Sequence, residues 1–251
     1  MENDLKNFYE NKYSLEKDKA SVKTISYKKY PTNRYEAGIK YFSDHFKGGS
    51  ILELGAGNGI ITNSILKSNA NIDSYLASDL SSNRLEGIKK TIRDSRLEVK
   101  QIEVESFDFT SIGPFDSIIM IALIEHLVDP LNTMRRIREA LKPNGFIYID
   151  TPNIADYGAR FKLLKGKFPS TGSKNEGLLT YDNQNVTLRD EGHLHYFTYR
   201  SLSKMLTTYG GFTETEKYYY PVGRLILGKA IHYKLAKVYP ELFSALALIA
   251  R

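Results

Sequence analysis

Apolar positions change their spacing twice along this chain, and the changes divide it into three stretches. Between about residues 49 and 153, short apolar runs alternate with segments of helical spacing. "SILEL" reads as a strand that runs straight into glycines, and "GIITNSILKSN" has helical periodicity. "DSYLASDL" reads as a strand, and "SSNRLEGIKKTIRD" opens on Ser and Asn, which cap helix N-termini. "LEVKQIEVES" alternates with period two, which predicts a strand. "FDSIIMIA" is a β-branched run of the kind that a strand buried on both faces requires. "DPLNTMRRIREALKPNG" predicts a helix with Pro130 in its first turn and Pro-Asn-Gly as its stop, and "FIYIDTPN" predicts one more strand. Such alternation predicts an α/β fold with a parallel sheet and right-handed crossovers.

The flanks differ. Residues 1–48 are dense in Tyr and Lys and are expected to form a partly helical cap ahead of a main domain spanning 49–251. After Asn153 the period is lost. Residues 154–192, rich in Gly, Lys, Ser and Asn, read as an insertion. Beyond it "TYRSLSKMLTTYGGF" predicts a helix, and "FTETEKYYYP" and "LFSALALIAR" predict strands.

Composition narrows the function classes. A chain of 251 residues that is 41% hydrophobic can bury a sizeable core. The absence of cysteine excludes disulfides, thiolate catalysis and Cys-ligated zinc. The longest apolar runs, "SIIMIALI" and "ALALIA", fall far short of the ~18 residues of a membrane span. "MENDLKNFYENKYS" lacks the apolar core of a secretory signal, so a soluble cytoplasmic protein is expected. The net charge of +6 fits a solvated surface or, as the sharper expectation, an anionic small-molecule substrate or partner. It is spread without a basic tail, so nucleic acid is not the expected partner.

The most specific stretch is "ILELGAGNGI", with Gly55, Gly57 and Gly59 at alternate positions behind Glu53. A strand followed by glycines and a helix brings bare backbone and free N–H groups against a nucleotide or other anion. The dinucleotide fingerprint would need glycine at position 60, where Ile60 stands. Asp79 ends the second strand, placed to bind ribose hydroxyls or to cap the helix that follows.

Taken in order, "ILELGAGNG", "ASDLS", "FDSIIMIALIEHLVDP" and "LKPNGFIYIDTPN" resemble the consecutive motifs of class I S-adenosylmethionine-dependent methyltransferases. "DEGHLHYFTYRSLSKMLTTYGGF" is similar to the post-sheet segment of the ubiquinone-biosynthesis-like and glycan-modifying members. The resemblance implies a Rossmann-like, seven-stranded sheet with helices on both faces, ending in an antiparallel pair. It implies S-adenosylmethionine as cofactor and S-adenosylhomocysteine as product. It sets Gly55, Ala56, Gly57 and Gly59 against the methionine part, with Glu53 beneath the loop. Asp79 and Leu80 fall at the ribose. Glu105, with Ser106, falls at the adenine, and Asp108 is the rival acid. Ala122 and Leu123 line the methionine and sulfonium.

On the acceptor side, His126, His193 and His195 are the candidate bases, because histidine titrates near neutrality and the family places their segments near the transferred methyl. "SYKKYPTNRYE" offers Lys28, Lys29, Tyr30, Arg34 and Tyr35 as a wall for a phosphorylated or sugar-like acceptor. Arg160, Lys162, Lys165 and Lys167 of "YGARFKLLKGKF" form a second basic stretch. No metal is expected. Small-RNA 2′-O-methyltransferases of this superfamily hold an ion through E-x-x-E-H and a later histidine, and in "ALIEH" Ala122 replaces the first acid. The reaction implied is O-methylation of a small anionic or sugar-type metabolite, as in capsular or other surface polysaccharide modification on sugar or phosphoramidate groups. An RNA or tRNA methyltransferase and a non-catalytic cofactor-binding module are the alternatives.

Overall fold

The computed structural model describes residues 22–68, 71–172, 181–182, 185–186, 189–222 and 228–251. Residues 1–21 of the expected cap, and much of 173–188 within the expected insertion, lie outside the described residues. Helix α1 (Arg34–His45) precedes β1 (Gly49–Leu54), α2 (Ile60–Ser68), β2 (Ile72–Asp79), α3 (Ser82–Thr91), β3 (Leu97–Gln101), β4 (Phe115–Ile121), α4 (Pro130–Glu139) and β5 (Leu141–Pro152). Then come α5 (Tyr157–Leu164), the short pair β6 (Tyr181–Asp182) and β7 (Asn185–Val186), α6 (Tyr199–Thr208), β8 (Thr215–Tyr218), α7 (Lys229–Val238) and β9 (Ala245–Ala250).

One seven-stranded sheet carries the fold, in the order β3-β2-β1-β4-β5-β9-β8. β3, β2, β1, β4 and β5 are mutually parallel, and β9 runs antiparallel between β5 and β8. This is the seven-stranded, Rossmann-like architecture that the motifs imply. Strand order reverses between β1 and β4, so the carboxyl ends of these two strands open a crevice suited to a ligand.

Period-two burial places a core on each face of the sheet. Ile118 and Met120 of β4, Ile147 and Ile149 of β5, and Leu246 and Leu248 of β9 pack with Met134 and Ile137 of α4 and Leu202 and Leu206 of α6. Ile119, Tyr148, Ala247 and Ile249 point the other way, onto Ile39 and Phe42 of α1 and Ile61 and Ile65 of α2. Each fully buried Ile or Leu side chain stabilises by roughly 1.5–3 kcal/mol before entropy is counted. The unbroken apolar run of β4 therefore follows from helices covering both faces.

Local signals set most element starts. Asn33 accepts from the Glu36 N–H at 3.0 Å to cap α1, Ser81 caps α3, and Asp129 caps α4 with Pro130 in its first turn. Several predicted boundaries move. β3 stops at Gln101, and "IEVES" forms a turn in which the Ser106 and Phe107 N–H groups reach back to the Glu103 carbonyl at 3.3 and 3.0 Å. Its alternation reflects burial of Ile102 and Val104 in the core, not a strand. The helix ending in "LKPNG" stops at Glu139, because Leu141 already pairs with Phe115 at the start of β5. β8 and β9 are shorter than the stretches read as strands, and Pro240–Leu242 forms a 3-10 turn. α7 falls where the spacing predicted no element.

Candidate active site

The glycine loop leaves β1 at the reversal point. Gly55, Gly57 and Gly59 have φ values of 75°, 57° and 76°, a region costly for other residues. The Ala56 N–H donates to the Ser78 carbonyl at 2.8 Å and the Gly59 N–H to the Ala56 carbonyl at 2.9 Å, which fold the loop back onto β2. The glycines face different neighbours. A Cβ at Gly59 would lie 2.8 Å from Ile88 Cγ1, so this glycine lets α3 pack close. A Cβ at Gly55 would touch Leu123 at 3.4 Å, so Leu123 covers the start of the loop from β4. At Gly57 the nearest atom is Arg84 Nη1 at 3.6 Å, and this side of the loop is a cradle that a methyl would begin to fill.

Asp79 is buried at the end of β2. One carboxylate oxygen accepts from the Gly57 N–H at 2.8 Å and the other from the Ser81 N–H at 2.9 Å. Each oxygen keeps further acceptor capacity. Helix α3 is capped by Ser81, not by Asp79. Half-buried Leu80 follows, its carbonyl accepting from Gln101 Nε2 at 2.7 Å. Glu53 lies beneath the loop, where Thr62 and Tyr75 hydroxyls both donate to it at 2.6 Å. Burial pushes its carboxyl up to about 7 against the pull of those bonds.

Glu105 turns its carboxylate to the Val128 and Asp129 N–H groups at 3.0 and 2.7 Å, bracing the loop after β4. Asp108 is exposed and accepts from the Thr110 N–H and hydroxyl at 3.0 and 2.6 Å. The first acid past the strand is Glu103. It accepts from the Glu105 N–H at 3.3 Å and from the exposed Ser106 hydroxyl.

Beyond β4 the chain crosses the mouth of the crevice. Ala122 takes a φ of 52°, a strained value for a residue with a Cβ, while its N–H donates to the Asp150 carbonyl at 2.8 Å. A 3-10 turn, Ile124–His126, follows, and Glu125 and His126 stand on it. Glu125 is 1% exposed. Its Oε2 accepts from the Thr151 hydroxyl at 2.9 Å, and Oε1 has no hydrogen-bond partner among the described residues. Burial pushes its carboxyl up to about 7.

His126 and His193 come together here, ring centroids 4.8 Å apart at 76°. One side-chain ligand atom from each of Glu125, His126 and His193 lies within 4.8 Å of the others. The Leu194 and His195 N–H groups donate to the Glu125 carbonyl at 2.8 and 3.1 Å, pinning the histidine segment to the turn. His195 itself is directed elsewhere, with Nε2 3.3 Å from the Val128 carbonyl and its ring beside Phe197.

A second buried acid, Asp150 of β5, lies close by. Tyr220 donates its hydroxyl to it, Arg34 Nε lies 3.8 Å away, and burial pushes its carboxyl up to about 6. Burial works against the Arg34 charge, but Asp150, Tyr220 and Glu125 more than offset it and leave the guanidinium more basic than usual. Among the other residues of that N-terminal stretch the geometry is different. Lys28 and Lys29 are exposed, Tyr35 is 38% exposed, and Tyr30 packs on Tyr233 with Lys29 Nζ 5.6 Å from its ring. The stretch is tied to α2 through Asn63 Nδ2 on Thr24 Oγ1 at 2.9 Å and the Ile25 N–H on Ser64 Oγ at 2.9 Å. The second basic stretch builds exposed α5, on which Arg160 Nε donates to the Ala155 carbonyl at 2.6 Å and Lys162 Nζ to the Ser170 carbonyl at 3.3 Å. The sequence reading passed over Glu103, Asp150, Asp190 and Tyr220. Asp150 alone carried a signal, as a lone acid inside the apolar strand "FIYID".

A family model described as a methyltransferase domain matches residues 27–213, well over half of the chain. The chain belongs to this methyltransferase family. The methyltransferase is 28% identical over 112 residues to the ubiquinone biosynthesis O-methyltransferase of Actinobacillus pleuropneumoniae serotype 7 (strain AP76), covering 42% of this chain and 47% of that protein. It is 30% identical over 108 residues to the enzyme of the same name from Methylococcus capsulatus (strain ATCC 33009 / NCIMB 11132 / Bath), covering 42% and 44%. The methyltransferase thus spans about half the length of these curated relatives. Its fold matches the crystal structure of the N-terminal domain of EvdMO1 with S-adenosylhomocysteine bound, at a TM-score of 0.55, 16% identity and coverage of 88% and 82% of the two chains. Among the described residues, no helix of the methyltransferase is long and apolar enough to cross a membrane.

Proposed function

We propose that this methyltransferase transfers a methyl group to a hydroxyl oxygen of a small polar acceptor of sugar or phosphorylated type. The observation that carries this reading is the convergence of Glu125, His126 and His193 two to three residues and one loop beyond Leu123, whose side chain covers Gly55 of the glycine loop. An alcohol must lose its proton as the methyl arrives, and this cluster supplies groups able to manage that proton.

The bound cofactor supplies an activated methyl on a sulfonium centre. The chain's own residues do the rest. The open side of Gly57 receives the cofactor backbone, and Asp79 uses its remaining lone pairs on ribose hydroxyls. Leu123 and Ala122 border the methionine end. Glu103, not Glu105, is the acid left nearest the end of β3 for the adenine side. Arg34, paired with Asp150, orients an anionic or hydroxyl-rich part of the acceptor. Holding donor and acceptor in line can be worth ~7–11 kcal/mol of the barrier. Residues 22–48 and 154–172 cover the acceptor in this reading. Surface-polysaccharide precursors, including capsular sugars and their phosphoramidate derivatives, are the first class to assay.

The test incubates the purified chain with methyl-labelled S-adenosylmethionine and separate pools of nucleotide sugars, sugar phosphates, phenols and RNA. Label should enter a small hydroxyl acceptor, and periodate or alkali mapping should place it on oxygen. Label entering only RNA, or only nitrogen, refutes the reading.

A further inference from the structure

We infer that α5 and α7 together form a face that seats the protein on an anionic lipid bilayer. The starting point is the direction of their apolar residues. A helix that packs on a core turns its large apolar side chains inward. On α5, Tyr157, Phe161 and Leu164 recur at i, i+4 and i+7 and are all exposed, Leu164 by 82%, while the buried position is Ala159. On α7, Ile231, Leu235 and Val238 repeat that spacing, with Val238 65% exposed, and the buried position is again an alanine, Ala236. Exposed Tyr239 and Leu242 extend this second stripe past the helix end.

The fold brings the two stripes to one corner. α5 follows the carboxyl end of β5. α7 leads into β9, which runs antiparallel to β5 and starts opposite its end, with Ala245 paired to Pro152. Asn153 ties the two connections together. Its Nδ2 donates to the Glu241 and Phe243 carbonyls at 2.9 Å each, and its N–H donates to the Ser244 carbonyl at 2.9 Å. The corner therefore lies at the carboxyl edge of the sheet, where the crevice opens. Single exposed apolar residues are ordinary on a protein surface, but two stripes of like spacing at one corner make a patch, and such patches mark binding surfaces.

Charge selects the occupant. Between Tyr157 and Phe168 the chain carries Arg160, Lys162, Lys165 and Lys167 and no acid, and residues 160–167 are exposed throughout. α7 carries exposed Lys229, Lys234 and Lys237 and no acid. The acids just ahead of α5 and just past α7 are engaged. Asp156 accepts from the Gly158 and Ala159 N–H groups at 2.6 and 3.0 Å, and Glu241 is paired with Lys217. Helices with an apolar outer face and cations around it lie in the headgroup layer, with the apolar side chains at the acyl boundary and Lys and Arg on anionic lipid. Neither helix is long and apolar enough to cross a bilayer, so the contact is with its surface. A second copy of this chain would bring the same cations to the face and be opposed by like charge. Adsorption is independent of which acceptor the crevice takes.

The test needs no acceptor. Full-length protein is floated with vesicles of phosphatidylglycerol and phosphatidylcholine and, separately, of phosphatidylcholine alone. It should rise with the anionic vesicles at ~0.1 M salt, detach at ~1 M, where charges are screened within ~3 Å, and stay behind the neutral vesicles. Lys165→Ala combined with Lys234→Ala should weaken the partition about 20–30-fold. Leu164→Glu combined with Val238→Glu should abolish it, because each stripe loses an anchor. Lys89→Ala combined with Lys90→Ala, exposed on α3 toward the far edge of the sheet, should leave it unchanged. Calorimetric affinity for S-adenosylhomocysteine, unchanged in each variant, certifies the fold. If the glutamate pair does not fold, the alanine pair carries the comparison. Absence of flotation with anionic vesicles, equal flotation with neutral ones, or flotation unchanged in the folded α5 and α7 variants overturns the proposal. A native dimer that Leu164→Glu with Val238→Glu dissolves assigns the face to a second copy and overturns it as well.

Discussion

Substituting two neighbouring loop glycines by alanine should have opposite consequences. Both take left-handed backbone, with φ of 57° at Gly57 and 76° at Gly59, so each alanine costs ~1–2 kcal/mol of stability. At Gly59 the new methyl would sit 2.8 Å from Ile88 Cγ1 and 3.2 Å from Ile92 Cδ1, both on buried side chains of the α3 region. Pressing a methyl into that packing adds ~1–3 kcal/mol, which brings Gly59→Ala to about 2–5 kcal/mol against a typical total of ~5–15 kcal/mol. Gly57→Ala meets only a guanidinium nitrogen at 3.6 Å and should cost little beyond its backbone term. The binding effects reverse. The Gly57 methyl enters the cradle and should weaken S-adenosylhomocysteine about tenfold or more, equivalent to ~1.4 kcal/mol. Folded Gly59→Ala should bind it nearly as the native enzyme does. Urea midpoints give the first comparison and calorimetric titration the second. Equal stabilities for the two variants, or native affinity in Gly57→Ala, would refute the division of labour within the loop.

Three further outcomes follow from the geometry. Burial moves Glu53 from 4.5 to about 7, so the folded state holds a proton there that the unfolded state releases. Its contribution to stability is full below pH ~4.5 and is lost as pH rises through 7, worth ~3 kcal/mol; Glu53→Gln should therefore gain on the native protein in urea midpoint between pH 5 and 7.5, and a constant difference counts against this. Removing His193 or His126 should lower turnover ~10²–10⁴-fold, whereas His195→Ala, whose ring bonds the Val128 carbonyl, should stay close to native; single-turnover rates decide, and the opposite ranking sinks the assignment. Arg34→Ala should raise the acceptor KM while Lys28→Ala and Lys29→Ala leave it unchanged, and a rise in the lysine variants instead would restore the outer basic wall.

How far the sequence carried depended on the length scale of each signal. The β1 loop, the capped starts of α3 and α4 and the doubly buried β4 were written in contiguous residues, and backbone physics translates such patterns directly. Where two causes give the same pattern, spacing failed. "IEVES" alternates because Ile102 and Val104 plug the core from a turn, which a period-two reading cannot tell from a strand. Glu105 and Glu103 are two residues apart and chemically alike. Only the position of the Val128 and Asp129 N–H groups, supplied by the loop after β4, assigns the first to bracing that loop.

The cluster proposed as the acceptor wall lay still further from view because its members share no local pattern. Arg34 comes from α1, Glu125 and His126 from the turn after β4, Asp150 from β5, His193 from the segment before α6, and Tyr220 from beyond β8. Sheet register makes them neighbours. Ile121 pairs with Asp150, so the end of β4 delivers Glu125 beside Thr151, and the Tyr220 hydroxyl closes on Asp150 from the far side. The cluster also explains why two acids tolerate such burial. Asp150 has Tyr220 as a donor and Arg34 as a counter-charge, and burial still raises its carboxyl to about 6. Glu125 has Thr151 on one oxygen, no partner among the described residues on the other, and a carboxyl near 7.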